Sequence, residues 1–501
     1  MEYQSDGLSK EELRKKKRQQ ERIQVIAIFA AAVLVVLLVV GGIAVALVKA
    51  FSHGGEKADD LQVDAVTTES VTEQIVDSAP TDEMEQVTEE VPSEEDTQTE
   101  EEMVEQPEGG VQPPEETTAE TEIPESEVQA GDETQEEDDM AQSVLDEILG
   151  AEDMQALEQK VSEKIASMTL EEKVAGLFFV TPEQLMGRES DVIAVGSEFG
   201  EFYTKYPVGG ILLDESNMPG SAELEGLMSN LDAYLAEDIF LGVQHQGGED
   251  TPFVANGVTE NVIASHKEIG ESLGAAGAYS AGISLGSELR RYGINVNFTP
   301  NVDVALTQDS VAAKEGFGTD MTTTAELGKN LVKGLSDQGI SAAVGHFPSY
   351  GDVSHDGDSG QLVSNRTADD LKKEYAPYLE AINAGADFVI ISHIGLPRIR
   401  GDRRPASLSK EVITDMVRTE WEYDGIVITD FMDRSCMYQH YTYAEAAEGA
   451  IEAGADMILS PKNFLKSYNG VLDAVRSGKL TEERIDESLR RIYRVKFATK
   501  K

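Results

Sequence analysis

Cysteine, tryptophan and positive charge are scarce in this 501-residue chain, and the shortages of cysteine and of positive charge each exclude a class of function. The one cysteine, Cys436, has no partner for an intramolecular disulfide and cannot build a Cys-rich zinc site. It reads as a small core residue. Lys and Arg number 41 against 94 Asp and Glu, a formal net charge of −53, so most of the surface would repel a phosphate backbone. Nucleic acid is therefore not an expected partner. No GxGxxG follows a strand and opens a helix, which argues against dinucleotide binding. No metal-ligand spacing appears, and the expected cofactor set is empty.

What is present falls into four segments. Residues 1–24 are basic, with KEELRKKKRQQER running from Lys10 to Arg22. An uninterrupted apolar run follows at 25–48 and matches the ~20 residues needed to cross a bilayer. It is longer than the apolar core of a cleavable signal peptide and reads as a single transmembrane helix that stays attached. Cations before the span and acids after it predict a cytoplasmic N-terminus and an extracytoplasmic remainder. Residues 49–142 are rich in Glu, Asp, Thr, Gln, Ser and Pro, with segments such as VTEEVPSEEDTQTEEEM. Dense like charge and little apolar surface predict a disordered, extended acidic linker whose role is spacing.

From 143 to 501 the pattern is that of a folded domain. Thr169 and Glu172 in SMTLEEKVAGLFFV form a capping-box signature ahead of an apolar helix face. Short apolar runs then alternate with amphipathic stretches: GLFFV, GGILL, IFLGV, INVNF, SAAVG, FVIIS, IVITD and DMILS. Strands alternating with helices at this spacing predict parallel βα units. The class is α/β, and eight such strands fit a (β/α)8 TIM barrel better than an open sheet.

In a barrel the chemistry sits beyond the strand C-termini. Asn297 and Asp303 lie around one strand end, and the stretch from Gly345 to Ser359, GHFPSYGDVSHDGDS, follows another with His346, Asp352, His355, Asp356 and Asp358. His393 ends FVIIS, and Asp430 ends IVIT. Carboxylates and histidines gathered at one mouth suit glycoside hydrolysis, in which one carboxylate attacks the anomeric carbon while a second group donates a proton to the leaving oxygen. Asp430, rigidly placed at a strand end, suits the nucleophile, and the 345–359 loop suits the donor. Asn297 and Asp303 also read as supports of the mouth, and Trp421 as packing.

These stretches resemble glycoside hydrolase family 3, specifically its single-barrel β-N-acetylglucosaminidase branch. The resemblance rests on LRRYGINVNFTPNVDV, GHFPSYGDVSHD, FVIISHIGLP, EYDGIVITD, EGAIEAGADMILSP and RIDESLRRIYRVK, in the family's order from about Met168 to Phe497. It implies that Asp430 is the nucleophile, with Thr429 where the family's Ser-Asp motif has serine. It implies that His346 contacts sugar hydroxyls, and that Asp356 is the aspartate of an Asp-Ser-His dyad. Gln244, Asp303 and His393 are the remaining expected substrate-binding positions.

The departures are specific. The dyad histidine falls on Asp358, the lysine before His346 is Gly345, and two arginines of the family's sugar-binding motifs fall on Glu249 and Glu315. Two readings follow. In one the chain is a divergent retaining glycosidase whose proton comes from Asp358 or His355. In the other it is an impaired barrel that binds glycan or a protein partner. With a membrane anchor, the resemblance implies a bacterial cell membrane, with peptidoglycan as the nearby polymer of the right class.

Overall fold

The computed structural model describes residues 153–498, apart from residue 356, all within a unit spanning residues 122–501. The expected span at 25–48, the linker at 49–142 and the candidate Asp356 lie outside the described residues. Among the described residues no helix is long and apolar enough to cross a membrane.

Eight parallel strands form the centre: β1 (Phe178–Val180), β2 (Gly210–Leu212), β3 (Phe240–Val243), β4 (Val296–Asn297), β5 (Ser341–Phe347), β6 (Phe388–Ile391), β7 (Ile426–Thr429) and β8 (Ile458–Leu459). Seven fall within the apolar runs singled out in the sequence, and β5 runs two residues past SAAVG, taking in His346 and Phe347. Consecutive strands pair in chain order, β8 pairs with β1, and a parallel bridge between Ile428 and Met457 closes the ring between β7 and β8. Covered on both faces, such strands read as continuous apolar runs rather than alternating ones.

Large and small residues interlock inside the barrel. Phe179 meets Phe298 edge to face at 5.1 Å and lies parallel to Phe240 at 6.3 Å. A Cβ on Gly210 would come within 2.6 Å of the Phe179 ring, and one on Gly242 within 2.7 Å. The two glycines therefore make the room that Phe179 fills, and burying such a side chain is worth about 1.5–3 kcal/mol.

The helices form the outer ring. Thr169 and Glu172 make the reciprocal capping box expected of them, and Thr181 with Gln184 repeats the device just after β1. The stretch EVITDMVRTE forms a wide π-type helix, Glu411–Glu420, and Trp421 at its end packs on Phe347, Tyr375 and Tyr378. The closing helix, Glu482–Ala498, brings Ser488 and Arg491 to Asp456, where Arg418 also arrives. Asp456 is fully buried and additionally accepts the Val427 amide. It precedes β8, at the end of the barrel away from the strand C-termini, where such networks serve stability.

Candidate active site

At the C-terminal mouth lies a cavity of about 650 Å³. One wall carries His346, Tyr350, Asp430, Phe431 and Arg434; Gln244, Glu249, Lys314 and Glu315 also line it, from the segments after β3 and β4.

Asp430 is the residue after β7, and the strand fixes its position. Its Oδ1 accepts the Phe431 amide at 2.8 Å, and its Oδ2 accepts a short hydrogen bond from the Tyr350 hydroxyl. Burial alone would raise its pKa, but the positive charge of His346 and His393, the Tyr350 bond and Arg434 together hold it below the ordinary carboxylate value. Burial pushes the pKa of His393 itself down, with the Asp430 charge opposing the shift. Asp430 is thus a carboxylate fixed at both oxygens.

His346 lies near the end of β5. Burial opposes its protonation, yet the charges of Asp430, Asp303 and Glu315 and the hydrogen bond to Asp303 outweigh burial and raise its pKa to about 9. The ring is an imidazolium at neutral pH. Asp303, fully buried behind it, accepts both the His346 backbone amide at 2.9 Å and Nδ1 at 3.1 Å. Tyr378 donates to the His346 carbonyl at 2.6 Å and lies 3.2 Å from the same carboxylate. Asp303 therefore acts on the ligand space through His346 and does not line the cavity.

His393 is enclosed rather than open to the cavity. Its Nδ1 faces the Ser407 hydroxyl at 2.8 Å and its Nε2 the Phe431 carbonyl at 3.0 Å. A carbonyl only accepts, so Nε2 carries the hydrogen and His393 steadies the peptide beside Asp430. Gln244 is exposed in the cavity wall. Asn297 clamps the neighbouring His245 backbone from both sides, at 2.9 Å to its amide and 2.9 Å to its carbonyl, and so supports the mouth.

Beyond Tyr350, the loop after β5 is tied down by further contacts. Arg366 reaches the Ser349 carbonyl at 2.6 Å and the buried Glu374 at 2.6 Å. The Gly357 carbonyl accepts the Cys436 amide at 2.9 Å and the Ser435 hydroxyl at 3.0 Å. Gly357 has φ +102, and a Cβ there would lie 2.7 Å from the Cys436 sulfur, so this junction requires glycine. Asp358 is exposed and forms an ion pair with Arg434; neither Asp358 nor His355 is among the cavity-lining residues. The structure thus brings Asp430, His346 and Gln244 to one cavity, sets Asp303 and His393 behind it, and places Asp358 outside.

Sequence reasoning did not single out Tyr350, Arg366, Tyr378 or His266. His266 lines the cavity, but its nitrogens face the Glu315 carbonyl and the Thr299 hydroxyl, each at 3.2 Å, and burial lowers its pKa to about 4. Tyr350 sits inside the loop that drew attention, yet nothing in its spacing marks a hydroxyl that reaches β7.

An eight-stranded parallel barrel with an ionised carboxylate, an imidazolium and a phenol at its strand ends has the organisation of a (β/α)8-barrel enzyme. Residues 168–495 match the Glycosyl hydrolase family 3 N terminal domain, and the chain belongs to that family. It is 26% identical over 334 residues to beta-hexosaminidase A of Pseudoalteromonas piscicida, covering 60% of this chain and 55% of that protein. It is 30% identical over 259 residues to a beta-hexosaminidase of Bordetella avium, covering 50% of this chain and 73% of that one. Among solved structures, a family 3 beta-N-acetylglucosaminidase from Paenibacillus sp. superposes with a TM-score of 0.61 at 31% identity, covering 66% of this chain and 63% of that chain.

Proposed function

We propose that the barrel is a retaining glycosidase acting on β-linked N-acetylhexosamine, with Asp430 as the nucleophile. The observation that carries the reading is Asp430 itself: a buried carboxylate at a strand end, kept ionised, fixed at both oxygens and facing a cavity of sugar-binding size. In the first step the carboxylate attacks the anomeric carbon and the glycosidic C–O bond breaks; in the second, water opens the glycosyl ester. The names of the relatives support the hexosamine class. Glu249 and Glu315 stand in the wall where the resemblance puts arginines, so this cavity offers carboxylates to the sugar hydroxyls at those two positions.

The sequence supports the setting. The apolar run at 25–48 would anchor the chain in a bacterial cell membrane with its N-terminus in the cytoplasm, and the acidic segment at 49–142 would hold the barrel outside the membrane. Peptidoglycan is then the nearby polymer of the right class. The alternative, a binding module without turnover, draws on one observation: Asp358, at the position of the family's proton donor, does not line the cavity and is paired with Arg434 of its wall.

A 5-fluoro N-acetylglucosaminyl fluoride, which keeps the 2-acetamido group, separates the two. Mass spectrometry of a peptide carrying the sugar on Asp430, absent from Asp430→Asn, is the expected result. Hydrolysis of an aryl β-N-acetylglucosaminide should fall at least about 10³-fold in that variant. An unlabelled protein that still binds glycan would favour the binding module.

A further inference from the structure

We propose that His346, held by Asp303, is the proton-transfer residue of this barrel. In this role Nε2 gives a proton to the leaving glycosidic oxygen and later takes one from the attacking water. The inference rests on Asp430 as nucleophile and adds the acid and base that neither Asp358 nor His355, both absent from the cavity lining, supplies.

Four histidines are buried or nearly so around the mouth, and their partners separate them. His393 and His266 each have both ring nitrogens engaged. His245 pairs with Glu288 at 3.0 Å, and its ring is not part of the cavity wall. In His346 the carboxylate of Asp303 takes Nδ1, leaving Nε2 as the nitrogen for the cavity that the ring lines. A buried carboxylate on one imidazole nitrogen, with the other turned to the reacting space, fixes both the tautomer and the ring orientation. The same carboxylate holds the His346 backbone amide, so ring and main chain are positioned together.

His346 also lies close to the nucleophile. Its ring meets the Tyr350 ring at 4.9 Å, and Tyr350 is hydrogen-bonded to Asp430. The groups facing His346 are Asp303, Tyr378, Tyr350, Asp430, Glu315 and His393.

The electrostatics run in the direction that the two steps need. Before attack, the Asp430 charge helps His346 keep its proton. As Asp430 bonds to the anomeric carbon its charge disappears, and the proton on Nε2 passes to the departing oxygen with the C–O electron pair. The sugar ester and a neutral imidazole remain. Water then attacks the anomeric carbon, its proton goes to Nε2, and the ester bond breaks to restore the Asp430 carboxylate. No other reactant is consumed.

The test uses the full chain and a series of aryl β-N-acetylglucosaminides of graded leaving-group acidity. For His346→Ala, kcat/KM should fall about 10²- to 10⁴-fold on the phenyl glycoside and less than about ten-fold on the 2,4-dinitrophenyl glycoside, whose departure needs no proton. Azide should restore turnover and yield the β-glycosyl azide. The alkaline limb of wild-type kcat/KM should lie near pH 9, and Asp303→Asn should move it down. His346→Gln, compared by circular dichroism, guards against a folding defect.

An equal loss on every leaving group, through KM and without azide rescue, would make His346 a sugar-binding group only and overturn the proposal. So would the leaving-group pattern appearing in Asp358→Asn instead. With Asp430 labelled by the fluoro sugar, either of these results leaves the nucleophile reading standing. An unlabelled wild type with no turnover of the dinitrophenyl glycoside overturns both.

Discussion

The Tyr350 hydroxyl donates to Oδ2 of Asp430 and thereby joins the loop after β5 to the end of β7. The bond is one of the influences that keep the Asp430 carboxylate below its ordinary pKa, after the histidine charges that counter burial. In Tyr350→Phe that support is lost and the pKa of Asp430 rises. The acidic limb of kcat/KM should move to higher pH, as measured from pH 3 to 7. A buried acceptor that loses its donor costs about 1–3 kcal/mol, which would lower the urea midpoint.

His346 predicts a pH window for stability. Its folded pKa is raised to about 9 from an ordinary 6.5. The stabilisation is then fully present below pH 6.5 and lost as pH rises through 9. The linked free energy is about 3 kcal/mol. Urea unfolding at pH 6, 7.5 and 9.5 should show this decline, and His346→Gln should flatten it.

Arg366 and Glu374 form a buried pair at 2.6 Å that braces the start of the same loop. Burial pushes the Glu374 pKa up, with Arg366 opposing the shift. Arg366→Ala leaves that carboxyl without its cation and frees the Ser349 carbonyl. Removing one partner of a buried pair costs about 3–5 kcal/mol. Thermal unfolding of the variant is the measurement.

At the far end of the barrel, Asp456 holds Arg418, Arg491, Ser488 and the Val427 amide. Asp456→Ala should destabilise by about 3–5 kcal/mol because the partly buried arginines lose their counter-charge and the Val427 amide its acceptor. Since the network lies away from the mouth, kcat of the folded fraction should be unchanged. Unfolding curves together with active-site-titrated rates test both halves.

All eight strands were legible as apolar runs because a parallel sheet covered on both faces leaves that simple trace. Asp430 was legible for a related reason, as an acid that directly ends such a run. The partners of Asp430 were not. Tyr350 and Asp430 are far apart in sequence, and their meeting depends on β5 and β7 flanking β6. Asp303 carried two expectations, binding and support, and nothing local reveals that its side chain turns behind His346. Asp358 looked like part of a catalytic loop, whereas its partner, Arg434, comes from the segment after β7.

Thr429 shows what the position before Asp430 needs. Its hydroxyl accepts the Leu459 amide at 3.1 Å, while its own amide donates to the Met457 carbonyl at 3.1 Å. At the seam between β7 and β8 the side chain takes the place of a main-chain acceptor. Serine offers the same oxygen, so Thr-Asp in place of Ser-Asp keeps the seam closed, whereas valine, equal in shape, would leave Leu459 without an acceptor. The departure at Thr429 is one of joinery: the side chain is fully buried at the seam and is not part of the cavity wall.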